Sequence, residues 1–393
     1  MIALDKYDCV VVGSGFAGSV VARELAEQYK KKVLIIERRN HIAGNMYDEI
    51  NSDGILVQHY GPHSIFTDNY DVVEYLSRFC LWFRNDVDAK VEIDGKRIPI
   101  PFNFESIRML YSKNVADELI EALKTNYEGE TRVPVFELIE SNIPIIKEYG
   151  ELLFEKDYRL YSAKQWGIDP SQIDRSVINR VQVALSEDRR YLNAQYQIVP
   201  SNGFTSLFHS MLDYPGIEII LGKDALDYLQ VDLKNHVLKW NNEDIGIPVV
   251  FTGEIDRLFQ YKYGVLPYRS LDIQFKTIEC DKYQDTVFTS YPGDVEYTRI
   301  TEYKNLTNQF RKGITTISIE YPKWHDPSDN ASEPFYPVIN DENLFKHESY
   351  KKIADLVPNL FLVGRLAEYK YYNMDVVIVK ALEKVDEIVS WMQ

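Results

Sequence analysis

The sequence predicts an α/β protein whose two ends build one discontinuous domain, with a helical segment and an antiparallel sheet inserted between them. Three observations carry this reading. "YDCVVVGSGFAGSVVARELAEQY" is an apolar strand, a glycine turn and a helix, and "KKVLIIERRN" follows as a second buried strand. Two consecutive strands flanking a helix form a parallel unit. "NLFLVGR", close to the C-terminus, is again a buried strand, followed by the helix "DVVIVKALEKVDEIVSWM". Between about 265 and 320, "RSLDIQFKTI" and "GITTISIEY" alternate as strands of an antiparallel sheet do.

Taken in order, residues from about 70 to 190 read as mostly helical, interrupted by a hairpin, "KVEIDGKRIPIPF", that turns at Asp94 and Gly95. "GIEIILG" and "IPVVFTGEID" are further short strands. No internal repeat and no low-complexity linker interrupts the 393 residues, a length that predicts two or three structural units.

The chain holds 60 acidic and 44 basic residues, a formal charge of −16. Such a surface repels nucleic acid and anionic membranes, so an anionic ligand would need a local positive pocket. No apolar run approaches the roughly 20 residues of a membrane span, and Met1 leads within ten residues into an apolar strand rather than a signal peptide. Cys9, Cys80 and Cys280 are odd in number and lack metal-ligand spacing, so no metal site is expected. The expectation is a reduced, cytoplasmic protein that binds neither nucleic acid nor membrane.

Gly13-Ser-Gly15-Phe-Ala17-Gly18 is a G-x-G-x-x-G placed between a strand and a helix, and Glu37 ends the next strand. The glycines admit a pyrophosphate to the helix N-terminus, and Glu37 would accept from a ribose diol. Glu37 would repel a 2′-phosphate beside Arg38, which favours NAD or FAD over NADP. The loop to Gly44-Asn45 is similar to that of flavoproteins of the amine-oxidase and glutathione-reductase type, so FAD in a Rossmann-like domain is expected. Near the C-terminus, "LVGRLAEYKYYNMD" crowds tyrosines beside an arginine, a donor set suited to a phosphorylated ligand.

"VVGSGFAG", "IERRNHIAGN", "YGPHSIF", "AKQWG", "FTGEIDRLFQYKYGVLPYRSL", "EYTRITEYK", "EPFYPV" and "GRLAEYKYYNMD" run in one order along nearly the whole chain. Together they closely resemble the UDP-galactopyranose mutase family. The resemblance implies an FAD-binding part over 1–80, 196–255 and 340–393. It implies a helical part over 81–92 and 104–195, and an antiparallel sheet part over 93–103 and 256–339. It further implies an isomerase that interconverts pyranose and furanose forms of a nucleotide-diphospho sugar, by attack of the N5 of reduced FAD on the anomeric carbon with no net redox change. An external reductant and a homodimer follow from the same resemblance, with a galactofuranose-type product for polysaccharide synthesis.

Residue by residue, the resemblance makes Arg180 and Arg299 the diphosphate arginines and sets His63 against the flavin. It assigns Tyr161, Ser162, Trp166, Tyr191, Thr289, Tyr336, Tyr371 and Asn373 to the substrate. Gly13, Gly15, Ala17, Gly18, Glu37, Arg38, Gly44, Asn45, Pro62, His63, Gly364, Arg365, Met374, Asp375, Val376 and Val377 are assigned to the cofactor.

The chain departs from the family pattern mainly at substrate positions. "HSIFT" lacks a second histidine, and Gln58, followed by His59, stands where a histidine is common. Asn373 replaces an Asp, Thr289 and Val87 each replace an Asn, and Asp157, next to Tyr158, replaces a base-side aromatic. These changes point to a sugar other than galactose or to another nucleotide: UDP-N-acetylgalactosamine, UDP-arabinose, a dTDP-6-deoxyhexose such as fucose, or a GDP-heptose, beside UDP-galactose itself. Two other readings compete, an FAD-dependent oxidoreductase of the amine-oxidase type and a non-catalytic nucleotide-sugar binder.

Overall fold

The glycine-rich turn and its flanking strands sit at the centre of a five-stranded parallel sheet. The computed structural model describes residues 2–169, 175–329 and 331–393. Across the sheet the strands run Ile217–Leu221, Val33–Glu37, Cys9–Val12, Val249–Phe251 and Leu360–Leu362, every pair parallel. Because strand side chains alternate, the apolar runs divide between two cores. Cys9, Val11, Val33, Ile35 and Val250 face helix Phe16–Glu27 and the closing helix Met374–Met392. Val10, Leu34, Ile36, Val249 and Phe251 face the other way, under the antiparallel strands Leu229–Asp232 and Val237–Trp240 and the helix Asp341–Ala354.

A seven-stranded sheet lies beside this unit, in the order Tyr336–Pro337, Tyr268–Ile278, Thr315–Trp324, Arg299–Glu302, Phe288–Ser290, Ala89–Ile93 and Lys96–Ile100. It is antiparallel except where Phe288–Ser290 pairs in parallel with Ala89–Ile93. The hairpin turns at Asp94 and Gly95, at φ 49° and 76°, the two left-handed positions that a tight two-residue turn requires.

Residues 81–92, expected with the helical part, are strand in two places. Trp82–Arg84 pairs with Tyr196–Pro200, and Ala89–Ile93 is the inner partner of the edge strand Lys96–Ile100. The reason is the alternation of Ala89, Val91 and Ile93, whose buried faces join the helices' own core. That core gathers Leu119 and Leu123 of Lys113–Asn126, Ile146 and Leu153 of Pro144–Leu153, and Trp166 of Arg159–Trp166. Between the last two helices, Phe154–Tyr158 forms a π-helical turn. Such turns recur at functional sites because the extra residue re-aims the neighbouring side chains.

Candidate functional site

A groove of about 210 Å³ runs over the C-terminal edge of the parallel sheet. Its floor is the turn after the first strand. Gly13 sits at φ 98°, and a Cβ there would lie 2.2 Å from Thr252 Oγ1. Gly18 does not line the groove: a Cβ on it would lie 2.0 Å from the Gly13 carbonyl oxygen, so its role is to let the helix close on the turn. Gly15 caps that helix without a side-chain bond, which leaves the first amides open to an anion.

Buried Glu37 accepts from the Ser14 N–H at 2.9 Å and the Ser14 hydroxyl at 2.8 Å, so it is fixed at the groove wall. Ala17, Arg38, Gly44 and Asn45 line the same stretch, and Gly364, Arg365, Met374 and Val377 line its far end. Arg38 pairs with Glu333 and, at 3.8 Å, with Glu254. Its neighbour Arg39 was not among the expected residues. Arg39 stacks on Tyr60 at 4.3 Å and donates to Asn45 at 2.9 Å, while its buried Nη1 has no partner among the described residues. A narrow apolar groove with a glycine floor, a fixed carboxylate and a spare guanidinium donor fits a dinucleotide of the flavin type.

Besides Gly18, two expected cofactor residues line neither this groove nor the cavity that adjoins it. Asp375 accepts from Thr67 Oγ1 at 2.8 Å and faces a separate cavity by Arg132. Val376 turns its side chain to solvent, and its N–H is taken by Asp375 Oδ1 at 2.8 Å. Both follow from the closing helix starting at Met374, which aims only one side of its first turn at the groove.

Arg365 and Met374 are shared with a second cavity of about 250 Å³, so the two spaces meet there. Pro62 and His63 line the second cavity rather than the groove. The His63 backbone is clamped by Gln58, whose buried side-chain amide accepts the His63 N–H and donates to its carbonyl at 3.2 Å. Gln58 therefore positions His63, and His59 packs away against Tyr47 and Phe275. Burial first, then the Arg365 and Arg299 charges, push the His63 imidazole down to about 3, and the Gly61 carbonyl offsets this only in part. His63 is accordingly neutral at physiological pH, a hydrogen-bonding group and not a charged one.

Two guanidiniums occupy the middle of the cavity, and their environments differ. Arg299 is locked to buried Glu320 through two bonds of 2.9 and 2.7 Å and lies over Phe288 at 5.2 Å. Arg180 donates to the Tyr371 hydroxyl at 2.6 Å and to Asn373 Oδ1 at 3.1 Å. Both of those partners are neutral, so among the described residues the Arg180 charge is uncompensated. Solvent reaches it through the cavity mouth although protein surrounds it on most sides.

Tyr336, Tyr371 and Trp166 form an aromatic triad with centroids 5.5 to 6.1 Å apart. Tyr161 and Ser162 enter from the helix Arg159–Trp166, and Tyr191 enters edge-on to Phe288 at 5.1 Å. That helix is pinned by Lys164, which donates to the carbonyls of Tyr291 and Gly293 at 2.7 Å each, and by Arg269, which donates to the Gln165 carbonyl at 2.8 Å.

Thr289 does not reach the cavity. It is fully buried and donates to Gln284 Oε1 at 3.0 Å, while its neighbours Phe288 and Ser290 line the space. Strand alternation sends Thr289 to the opposite face of the sheet, and the same alternation, read one residue on, marks Phe288 and Ser290. Thr289→Val is expected to leave the KM for a nucleotide-sugar unchanged and to lower stability by about 1 kcal/mol, as read by steady-state kinetics and urea denaturation.

The distal wall is apolar, with Val87 and Phe102, except for Asp157, whose carboxyl burial pushes up to about 7. Among the described residues no cluster of ligands could hold a metal ion, and no helix is long and apolar enough to cross a membrane.

A sequence profile of the UDP-galactopyranose mutase family matches residues 156–371, and a profile of NAD(P)-binding Rossmann-like domains matches residues 11–79. The UDP-galactopyranose mutase of Mycoplasma genitalium is 36% identical over 99% of this chain and 96% of its own length. The dTDP-fucopyranose mutase of Escherichia coli is 34% identical over 95% of this chain and 96% of its own. A crystal structure of reduced UDP-galactopyranose mutase shares the fold, with a TM-score of 0.71 at 16% identity, over 99% of this chain and 94% of that one.

Proposed function

The chain belongs to the UDP-galactopyranose mutase family, and we propose that it interconverts pyranose and furanose forms of a nucleotide-diphospho sugar. The observation that carries the reading is the convergence of Arg180, Arg299 and the Tyr336 and Tyr371 phenols midway along a cavity that opens, past Arg365 and Met374, onto the dinucleotide groove. This set suits a diphosphate and makes a positive pocket within a chain of net charge −16. An amine-oxidase type site has no need of such a clamp.

FAD is the cofactor that the groove favours; reduced, it supplies the nucleophile for the anomeric carbon and takes no net electrons from the sugar. The protein's residues do the rest. Arg180 and Arg299 hold the diphosphate and stabilise its charge as the glycosidic bond breaks, and the Tyr336 and Tyr371 hydroxyls donate to the same oxygens. Keeping the diphosphate bound while the sugar changes ring size holds it in position to rejoin the anomeric carbon. His63, neutral and lining the cavity beside Arg365, is a hydrogen-bonding group for the sugar or the cofactor. Trp166 and Tyr161 wall the space and exclude water.

The sugars named in the relatives, UDP-galactopyranose and dTDP-fucopyranose, are the first candidates here. We infer a cytoplasmic reaction from the family resemblance and the three free cysteines, and an external reductant and a homodimer from the family resemblance alone. The function is tested by incubating the reduced protein with UDP-galactose, dTDP-fucose, UDP-N-acetylgalactosamine, UDP-arabinose and a GDP-heptose, and resolving ring forms chromatographically. Conversion of at least one is expected; conversion of none would refute it.

Arg180→Ala is expected to weaken nucleotide-sugar binding by about 1.5–3 kcal/mol, roughly ten- to two-hundred-fold in Kd. Its stability should stay within about 0.5 kcal/mol of the parent, because only neutral partners are lost. Calorimetric titration and thermal unfolding check the two halves.

A further inference from the structure

The diphosphate clamp lies against the negative end of a helix. Pro144–Leu153, the turn Phe154–Tyr158 and Arg159–Trp166 run on as one helical rod, which stops at Gly167 in the left-handed region at φ 65°. The last helical residue, Trp166, packs on Tyr371 at 5.8 Å and on Tyr336 at 6.1 Å, and the Tyr371 hydroxyl accepts from Arg180 at 2.6 Å. Gln165 lines the cavity beside it. The last carbonyls of a helix have no partner within it, and with the aligned backbone dipoles they place about half a negative charge at its C-terminus. A bare C-terminus here would repel the anion that Arg180 and Arg299 attract.

Arg269 meets these carbonyls. It reaches over from strand Tyr268–Ile278, is 3% exposed, and donates from Nε to the Gln165 carbonyl at 2.8 Å and from Nη2 to the Lys164 carbonyl at 3.4 Å. A Cβ on Gly167 would lie 2.5 Å from its Nη1, so the chain passes the guanidinium only as glycine. Among the described residues no carboxylate pairs with Arg269, and the Trp324 indole covers it at 4.7 Å. Burial pushes its pKa down to about 10, so it is charged at neutral pH. A buried guanidinium without a counter-ion is costly unless a nearby group carries negative charge, and here that group is the helix end. The other cation on the helix, Lys164, donates instead to the carbonyls of Tyr291, Gly293 and Tyr297 at 2.7, 2.7 and 3.3 Å, and leaves the helix end to Arg269.

Resting on the mutase reading above, we propose that Arg269 is a positioning residue of the diphosphate site, which cancels the negative C-terminus of the helix Arg159–Trp166 and so lets an anion sit beside it. Arg269 lines neither the cavity nor the groove. Its charge acts through the Lys164 and Gln165 carbonyls, and its effect therefore scales with the charge of the ligand. A purely structural brace would hold the Trp166 wall equally for charged and neutral ligands.

Arg269→Gln separates the two roles. The amide nitrogen of glutamine stands where the Nε of arginine does, after three side-chain carbons. The variant therefore keeps the bond to the Gln165 carbonyl and removes the charge and the weaker Nη2 bond.

The test is calorimetric titration of the flavin-loaded, oxidised protein with UDP, and with uridine read by displacement of UDP; dTDP and thymidine form a parallel pair. In Arg269→Gln the Kd for UDP is expected to rise about three- to thirty-fold, as loss of a cation at a helix C-terminus implies, while the Kd for uridine stays within about two-fold. Arg269→Lys, which keeps a charge on the carbonyls and loses the fork, is expected to bind UDP within about three-fold of the parent. An unchanged UDP affinity in Arg269→Gln, an equal loss for UDP and uridine, or Arg269→Lys binding as weakly as Arg269→Gln would each overturn the proposal. If Arg269→Gln does not fold, Arg269→Lys decides alone, and a Kd for UDP more than about three-fold above the parent overturns it. If the parent protein binds neither UDP nor dTDP, the mutase reading itself fails and this inference falls with it.

Discussion

Arg299→Ala is expected to lower the stability of the protein by about 3–5 kcal/mol and to remove nucleotide-sugar binding, the largest combined loss of any single cavity residue. The fold cost comes from Glu320. That carboxylate is 2% exposed and takes two bonds from Arg299, so truncating the arginine leaves a buried, unpaired charge. The binding cost comes from losing one of the two guanidiniums that face the diphosphate. The two are separable. Arg299→Met combined with Glu320→Leu removes both charges and should recover most of the stability, while nucleotide-sugar binding stays lost. Urea denaturation and calorimetry on the single and double variants decide this. Stability that is unchanged in Arg299→Ala would mean that the pair contributes nothing to the fold.

Gly18→Ala is expected to abolish flavin binding. The new Cβ would lie 2.0 Å from the Gly13 carbonyl oxygen and 2.9 Å from Val11 Cγ1. The first is a backbone atom that cannot swing aside, so helix Phe16–Glu27 must lift off the turn and the cradle opens. Overpacking of this kind costs about 1–3 kcal/mol of stability. Gly15→Ala makes the contrast. Its Cβ would meet nothing nearer than Gly44 Cα at 3.9 Å, so the fold is retained, but the methyl group projects toward the space a pyrophosphate would fill. Purified Gly18→Ala should be colourless and less stable, and Gly15→Ala colourless at parental stability. A yellow Gly18→Ala would show that the helix yields without cost to the site.

The contrast between Arg299 and Arg180 also bears on Asn373. An aspartate at 373 would meet the Arg180 guanidinium, now 3.1 Å from Asn373 Oδ1, and neutralise it. The amide holds the guanidinium in place and leaves its charge for the ligand.

Much of this architecture was legible from residue pattern because its cause is local. The apolar run before Gly13, the positive-φ pair Asp94-Gly95 and the alternation of Tyr268–Ile278 each dictate their element without help from elsewhere. What was not legible depended on tertiary register. Leu229–Asp244 carries too few apolar residues to announce three strands, yet Leu229, Leu238 and Trp240 close the second face of the parallel sheet. Helix Asp341–Ala354 has a largely polar surface and buries little beyond Asn343, Tyr350 and Ala354.

Within the site, motif matching brought nine of the ten expected substrate residues to one cavity and missed Thr289 by one position, because a strand's two faces differ by a single residue. Gln58 could be recognised as a substitution, but its clamp on the His63 backbone needs the turn at Gly61 to bring the two together. Asp157 stood out as an acidic residue in an aromatic position. Only the π-helical turn shows that it lines the cavity, with no hydrogen-bond partner among the described residues.

The proposed reaction is a ring isomerisation that depends on a reduced flavin and leaves the substrate's composition unchanged. The direct measurement is anaerobic incubation of the purified protein with UDP-galactose and, in parallel, dTDP-fucose, with and without dithionite, followed by chromatography and mass spectrometry of the nucleotide sugars. The expected result is a furanose product of unchanged mass that forms only when the flavin is reduced. Bleaching of the oxidised flavin by substrate alone, with a product two hydrogens lighter, would contradict it and make the protein an oxidoreductase.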